Sequence, residues 1–314
     1  MRLIKSKVKT LLVKCGLIKR MPTEQPYKYS SFSPYSPLEL LSEPELLSLM
    51  RHEAHRIEKS MYNDIFESKH GYYLEKAKRL DCIFDVLESR SLYETEPTFL
   101  WAKEIREAFS DLEISFIAPN SKKSKEFDQS KLTEFANQIK DRRSVRVWAD
   151  KQLEKSEWLL VADSMIDCAR WSPCSGNRQP WRFKVITEHH DKMLLDKLKE
   201  EHCTSAPLLI FIGMDRRVYG SLSNKDYETA LFVDAGAAIM NMIVGANQAG
   251  LGTCWNHFGR DLIESREVNK IAYSNFSKEL KIEDHIEPVA ILAVGLPKYI
   301  PPTPARMTIE SLKM

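Results

Sequence analysis

The sequence predicts an α+β fold in which an all-helical N-terminal region precedes a domain of mixed helices and strands. Apolar residues recur at helical spacing through residues 38–62, which predicts an amphipathic helix. Short apolar runs at Pro207–Met214 and Pro288–Val294 predict buried strands instead. Between these runs, residues 234–249 are rich in Ala, Gly and Met, which predicts a core helix that packs closely on its neighbours.

The chain begins with a basic segment and a linker, which together take up residues 1–37. Residues 1–20 contain seven Lys and Arg, no acidic residue and several interleaved apolar side chains. This pattern fits a basic amphipathic helix on an anionic membrane surface. It also fits a helix that packs on the protein or frays, which we favour. Residues 21–37 are rich in Pro, Ser and Tyr and predict a linker or surface arm. No apolar stretch approaches the ~20 residues of a membrane span, and the apolar core near the N-terminus is too short for a secretory signal.

A helical region is expected over residues 38–130. After the first helix, residues 72–89 and 98–110 predict two more helices. The polar, Lys-rich stretch 121–130 marks the boundary of this region. The second domain, which carries the motifs described below, then spans residues 131–314.

The first helix has a polar stripe that includes His52 and His55, which lie one turn apart. These side chains could share a metal ion or relay a proton, or they could form a hydrogen-bonded or exposed helix face. We favour the helix face, because the spacing is not that of a His-Glu-x-x-His zinc motif and no third ligand is evident. If the helices cover a ligand site, His55 or Arg56 would be placed to reach a substrate.

A basic cluster follows the domain boundary and contains Arg142, Arg143, Ser144 and Arg146. In an extended segment, Arg142, Ser144 and Arg146 share one face and Arg143 faces the other way. In a helix, Arg142 and Arg146 still meet at i, i+4. The forked guanidinium groups suit a phosphate, although a solvated basic turn would have the same composition.

A rigid polar loop lies between Ser172 and Phe183. Its prolines and its glycine break regular structure, and they flank the two amides Asn177 and Gln179. Each amide carries both a donor and an acceptor, so the pair could match the edge of a flat heterocycle or could cap the loop's own backbone. Before the loop, Ser156 is expected to begin a helix; after it, Trp181–Ile186 predicts a strand.

These segments, taken in order, resemble the nitroreductase family of flavoenzymes. The basic cluster precedes the loop Pro173–Trp181, and Asp234–Trp255 is similar to the family's long central helix and the turn after it. Gly295-Leu-Pro and a proline-rich stretch that ends at Arg306 are similar to the last strand and a late phosphate-binding residue. The resemblance covers roughly residues 132–314.

The resemblance implies a mixed β-sheet flanked by helices, in an intertwined homodimer with FMN at the subunit interface. It implies that flavin N5 carries the chemistry, with no catalytic side chain, and that NADH or NADPH is the electron donor. Arg142, Ser144 and Arg146 would bind the phosphate or ribityl end, Arg143 with less support, and Arg306 would close on the phosphate. The residues that would frame the ring or lie at its reactive side are Pro173, Cys174, Ser175, Asn177, Gln179, Thr253, Cys254 and Trp255. Cys254 could be a redox thiol near the flavin, but a buried packing role is favoured.

Three functions fit these motifs. The first is an FMN-dependent NAD(P)H oxidoreductase acting on an unidentified nitro, quinone or other electrophilic small molecule. The second is a specialised flavin dehydrogenase or reductase of a biosynthetic intermediate. The third is a flavin-binding protein without turnover, whose N-terminal region docks a partner or a membrane.

Composition and motif content narrow the classes of ligand that the protein is expected to bind. The net charge of +2 gives no reason to expect nucleic-acid binding. The six cysteines form no Cys-x-x-Cys pair, so we expect free thiols in a reducing cytoplasm and no metal site. A Gly-x-Gly-x-x-Gly fingerprint is absent from the sequence, so a nicotinamide would have to stack transiently on the flavin.

Overall fold

The computed structural model describes residues 37–61, 70–90, 95–111, 125–219 and 224–314. The interpretations of residues 1–36 as a basic segment and linker lie outside the described residues.

Three helices form the N-terminal region and bury one apolar cluster among themselves. They are α1 (Glu43–Met61), α2 (His70–Ser89) and α3 (Pro97–Asp111). Helix α1 begins later than predicted because Leu38–Leu40 forms a separate 3₁₀ turn, and Glu45 accepts hydrogen bonds from the Ser42 backbone and hydroxyl. Leu46, Met50 and Ile57 in α1 are fully buried, as helical spacing requires for a core-facing stripe.

Helix α4 (Gln129–Asp141) was not predicted. Asp128 caps it by accepting the Ser130 backbone N–H at 2.9 Å. Its apolar side chains Leu132, Phe135 and Ile139 share a face and are all exposed. The surrounding polar sequence therefore concealed an amphipathic helix whose apolar face is not covered by the part of the chain that the structure describes.

The remaining elements build a four-stranded sheet with helices on both faces. In chain order they are α5 (Lys155–Arg170), β1 (Trp181–Ile186), α6 (His189–Met193), α7 (Glu201–Thr204), β2 (Leu208–Asp215), α8 (Asn224–Gln248), β3 (Gly252–His257), α9 (Arg260–Glu264), α10 (Glu267–Glu279) and β4 (Ile286–Gly295).

The strands are ordered β1-β2-β4-β3, and each neighbouring pair is antiparallel. Parallel pairing among the described residues occurs at the isolated bridge between Ser144 and Thr253. The α+β class with a helical N-terminal part is confirmed. Strand β3 corrects the prediction of a turn after the central helix.

Two apolar clusters sandwich the sheet. Helices α5 and α8 cover one face, where Ile210, Ile212 and Leu292 are buried. Helix α10 and the short helices cover the other face, where Phe211, Phe258 and Phe276 pack together. Strands β2 and β4 are buried along their whole length, which explains why their sequences are continuous apolar runs.

Helix α8 is the central helix. Its segment Thr229–Gln248 has a mean hydropathy of 1.6 and is long enough to cross a membrane, so the expectation that no stretch approaches a span was wrong on length and composition. The segment packs on α5 and the sheet, as predicted for a core helix. Gly245 permits this packing, because a Cβ there would lie 2.8 Å from the Cys168 sulfur.

Candidate functional site

The basic cluster is extended along the outer edge of β3, so the helical alternative for this segment does not apply. Arg142 has backbone angles φ −64° and ψ 132°, and it ends helix α4. The Val145 N–H donates to the Thr253 carbonyl at 2.9 Å, beside the bridge between Ser144 and Thr253. Val145 is buried against Gly252, which leaves Arg142, Ser144 and Arg146 on the opposite face of the segment.

The arginines of this cluster point to different neighbours. Arg146 reaches the Cys254 thiol; burial raises the pKa of this thiol, and the nearby guanidinium offsets part of that rise. Arg143 instead donates to the Arg142 carbonyl and to the Thr303 hydroxyl of the C-terminal segment. Arg143 is thus turned away from the face that carries the other two arginines.

The polar loop before β1 has an uncommon backbone. The backbone φ angles of Gly176, Asn177 and Gln179 are 59°, 52° and 53°. These angles lie in the left-handed region, which is unfavourable for residues other than glycine. The Asn177 N–H donates to the Cys174 carbonyl at 3.2 Å and the Gln179 N–H to the Cys174 sulfur at 3.4 Å. The loop therefore holds a conformation that needs support from its surroundings.

The two amides of the loop are paired with each other. The Gln179 side-chain Nε2 donates to the side-chain Oδ1 of Asn177 at 3.2 Å, and both side chains are half-buried. The Gln179 carbonyl and the Asn177 amino group are then the acceptor and donor that the pair can present to a ligand. The role of the two amides in ligand binding stays a prediction.

Asp234, at the loop-facing part of α8, anchors the loop. Its carboxylate accepts the Ser175 N–H at 3.0 and 3.1 Å and the Tyr219 hydroxyl at 2.9 Å. Burial raises the pKa of Asp234, and these hydrogen bonds oppose that rise. The residue pattern of this helix indicated packing alone; the missed signal was an acidic residue within its apolar segment Thr229–Gln248.

Helix α1 also contacts the loop, although its residues lie more than a hundred positions earlier in the chain. Arg51 donates to the Arg178 carbonyl at 3.0 Å, and His52 Nδ1 donates to the Gly176 carbonyl at 3.3 Å. Arg178 is 2% exposed and donates to His52 Nε2 at 3.3 Å. Burial, followed by the Arg178 charge, lowers the pKa of His52 to about 3, so the ring is neutral near pH 7.

The other candidate residues of the polar stripe, His55 and Arg56, contact neighbours within the helical region instead of the loop. His55 lies 3.2 Å from the Glu58 carboxylate and is partly exposed, while Arg56 donates to the Tyr72 hydroxyl at 2.7 Å. Within the described residues there is no group of three His, Cys, Asp or Glu side chains that could hold a metal ion.

Strand β3 divides its three candidate residues between the two faces of the sheet. Thr253 and Trp255 face the α8 side, and Cys254 faces the other. The Cys254 sulfur lies 3.6 Å from His202 Nε2 and is buried in the cluster beneath α10. Trp255 is 43% exposed and lies against Gly236, two residues after the loop anchor Asp234.

The two halves of the candidate site lie at opposite edges of the sheet. The basic cluster runs beside β3, and the amide loop leads into β1 at the far edge. Neighbouring strands are separated by about 4.8 Å, and the basic cluster lies one spacing beyond β3, so four strand spacings, roughly 19 Å, separate it from β1. Arg306 lies in an exposed C-terminal segment, where it donates to the Ala305 carbonyl.

Comparison with known proteins finds similarity in the second domain. The model of the nitroreductase family matches residues 139–202 and 188–296. A protein of Methanothermobacter thermautotrophicus named "Putative NADH dehydrogenase/NAD(P)H nitroreductase" is 25% identical over 171 residues, which are 52% of this chain and 78% of that protein. A protein of the same name from Archaeoglobus fulgidus is 27% identical over 172 residues, which are 53% of this chain and 87% of that protein. The crystal structure of a "putative nitroreductase in complex with fmn" from Desulfovibrio desulfuricans is 22% identical, has a TM-score of 0.47 and aligns with 57% of this chain and 95% of that one.

Proposed function

The chain belongs to the nitroreductase family, and on that premise we propose that it is an FMN-dependent oxidoreductase that passes hydride from NADH or NADPH to a small-molecule acceptor. The acceptor class is an electrophilic compound such as a nitroaromatic or a quinone. When bound, FMN supplies the hydride chemistry at its N5 atom, and the protein provides binding, orientation and charge.

The observation that carries this proposal is the amide pair in the left-handed loop. The pyrimidine edge of a flavin alternates carbonyl acceptors with an imide N–H, and Asn177 and Gln179 together offer a donor and an acceptor at fixed positions. Such preformed polar groups cost little reorganisation when a ligand binds. The Asp234 contact to Ser175 keeps the loop in place beneath them.

The basic face of Arg142, Ser144 and Arg146 fits the other end of the cofactor. Two guanidinium groups and a hydroxyl can bind a phosphate through charge-assisted hydrogen bonds. The Ser144 backbone is fixed by its bridge to β3, so the three side chains start from a rigid segment. Trp255, exposed on the α8 side, offers an aromatic surface against which a ring could stack.

A homodimer is part of this proposal. One chain carries the basic cluster and the amide loop at opposite edges of its sheet, and a second copy would allow each site to draw on both. Apolar side chains that a partner could cover are exposed on α4, on α8 at Phe232 and Val233, and at Trp171. Free thiols at Cys82, Cys168, Cys174, Cys203 and Cys254 support a reducing, cytoplasmic location.

The test is the absorbance spectrum of the purified protein, followed by anaerobic additions of NADH and NADPH. We expect flavin bands that bleach on addition of at least one nicotinamide and return when an acceptor such as a quinone is added. A protein that binds FMN but is never reduced would contradict turnover, and a colourless protein that does not take up FMN would contradict the whole proposal.

Arginine variants locate the phosphate site. Replacing both Arg142 and Arg146 with Ala removes the two guanidiniums of the basic face, and we expect loss of bound FMN. Arg143→Ala is the matched control in the same segment, because Arg143 bonds to the Arg142 carbonyl and Thr303 instead. Stoichiometric FMN in the double variant would contradict the assignment.

A further inference from the structure

The N-terminal helix α1 binds two backbone carbonyls of the amide loop. Arg51 is 8% exposed, and its Nη2 group donates to the Arg178 carbonyl while Nη1 donates to Thr98 in α3. His52 is 7% exposed and donates to the Gly176 carbonyl. The Arg51 contact is buried and the His52 contact is partly buried, so water does not replace them readily if they are lost.

These two carbonyls alternate with the two amides. The Gly176 and Arg178 carbonyls are bound by α1, whereas Asn177 and Gln179 are the residues that follow each of them in the chain. Asn177 and Gln179 both have positive φ angles, which are unfavourable for residues with a side chain. Fixing the peptide groups on either side is a direct way of holding such angles.

The contact also determines which nitrogen of His52 is protonated. Nδ1 faces a carbonyl, which only accepts, and Nε2 faces the Arg178 guanidinium, which only donates. The neutral Nδ1–H form satisfies both neighbours at once. Arg178 in turn donates to the Ser175 carbonyl at 2.8 Å, so His52 is connected to the 3₁₀ turn Ser175–Asn177 directly at Gly176 and through Arg178 at Ser175.

We propose that Arg51 and His52 are positioning residues for the flavin site, and that they orient Asn177 and Gln179 toward the flavin by holding the loop carbonyls from outside the family domain. This inference rests on the proposed function. Residues 1–131 lie outside the resemblance, and the family match begins at residue 139, so α1 is an addition of this chain to the site.

The experiment measures FMN affinity and the visible flavin spectrum of the full-length protein carrying Arg51→Met or His52→Ala. We expect FMN to bind roughly tenfold or more weakly in each variant, because a buried hydrogen bond that fixes the ligand-binding loop is lost. The visible absorption bands should also shift, since the amides contact the edge of the ring. His52→Asn retains a side-chain donor near the Nδ1 position and should recover most of the affinity.

The matched control is Arg106→Met. Arg106 pairs with Asp81 at 2.8 Å between α2 and α3, so its loss destabilises the same helical region without touching the loop. This variant should melt at a lower temperature and keep wild-type FMN affinity and spectrum. If Arg51→Met does not fold, His52→Ala against His52→Asn gives the same comparison.

Two outcomes separate this inference from the proposed function. Wild-type protein that does not bind FMN contradicts the function itself. Wild-type protein that binds FMN, alongside Arg51→Met and His52→Ala variants with unchanged affinity and spectrum, leaves the function standing and overturns the positioning role.

Discussion

His52 should make the protein markedly less stable in mild acid. Its folded-state pKa is lowered from 6.5 to about 3, first by burial and then by the Arg178 charge. Between those values the unfolded chain binds a proton that the folded chain does not, so stability falls as pH falls. The stability that depends on a neutral His52 is present above pH 6.5 and is progressively lost as the pH falls toward 3.

The magnitude follows from the two pKa values. Moving from pH 7.5 to pH 5 protonates most of His52 in the unfolded state and almost none in the folded state, which costs about 2 kcal/mol. The structural reason is that a protonated ring would point a second N–H at the Arg178 guanidinium, which has no acceptor to offer. Urea denaturation of wild type and His52→Asn at the two pH values measures the difference.

The variant His52→Asn has no titrating ring, so its loss of stability on acidification should be smaller than that of wild type by about 2 kcal/mol. His55→Asn, one turn away on the same helix and in contact with Glu58 instead of the loop, is the matched control for replacing a histidine by asparagine. Equal pH dependence in wild type and His52→Asn would refute the reasoning, because other histidines, such as the half-buried His285, are common to both proteins.

Two further predictions concern the loop. Gly176→Ala should destabilise the protein by more than about 1 kcal/mol, because φ is 59° and a Cβ would meet the His52 ring; an unchanged thermal midpoint would contradict this. Asp234→Ala should cost about 2–3 kcal/mol by leaving the Ser175 N–H and the Tyr219 hydroxyl without their acceptor. Asp234→Asn, which keeps one acceptor oxygen, should cost less, and equal losses in the two variants would argue against the hydrogen bonds as the cause.

Much of the second domain could be predicted because its elements have strong local patterns. Strands β2 and β4 are continuous apolar runs that are buried on both faces, and α8 contains a long apolar segment. The length and composition of these runs were therefore sufficient to predict the elements. Strand β3 was missed because it is short and its second half is largely exposed, which gives no apolar run. Helices α4 and α10 were missed because polar residues dominate both sequences.

The composition of the candidate site could be predicted in part, but its neighbours could not. The basic cluster and the amide loop stand out as short motifs, and the resemblance to a family suggested their roles. The contacts of Arg51 with Arg178 and of His52 with Gly176 join positions 127 and 124 residues apart. Local periodicity holds no information about such pairs, so the sequence predicted a polar stripe on the first helix and named His55 or Arg56 as the residues that could reach a ligand site.

The hydrogen bonds between α1 and the loop limit how this protein can be truncated. A fragment cut to the segment that matches the family, 139–296, would uncover the Arg178 guanidinium and release the carbonyls on both sides of Asn177. The leading helices therefore form part of the environment of the loop, and such a fragment would be a different molecule rather than a smaller copy of this one.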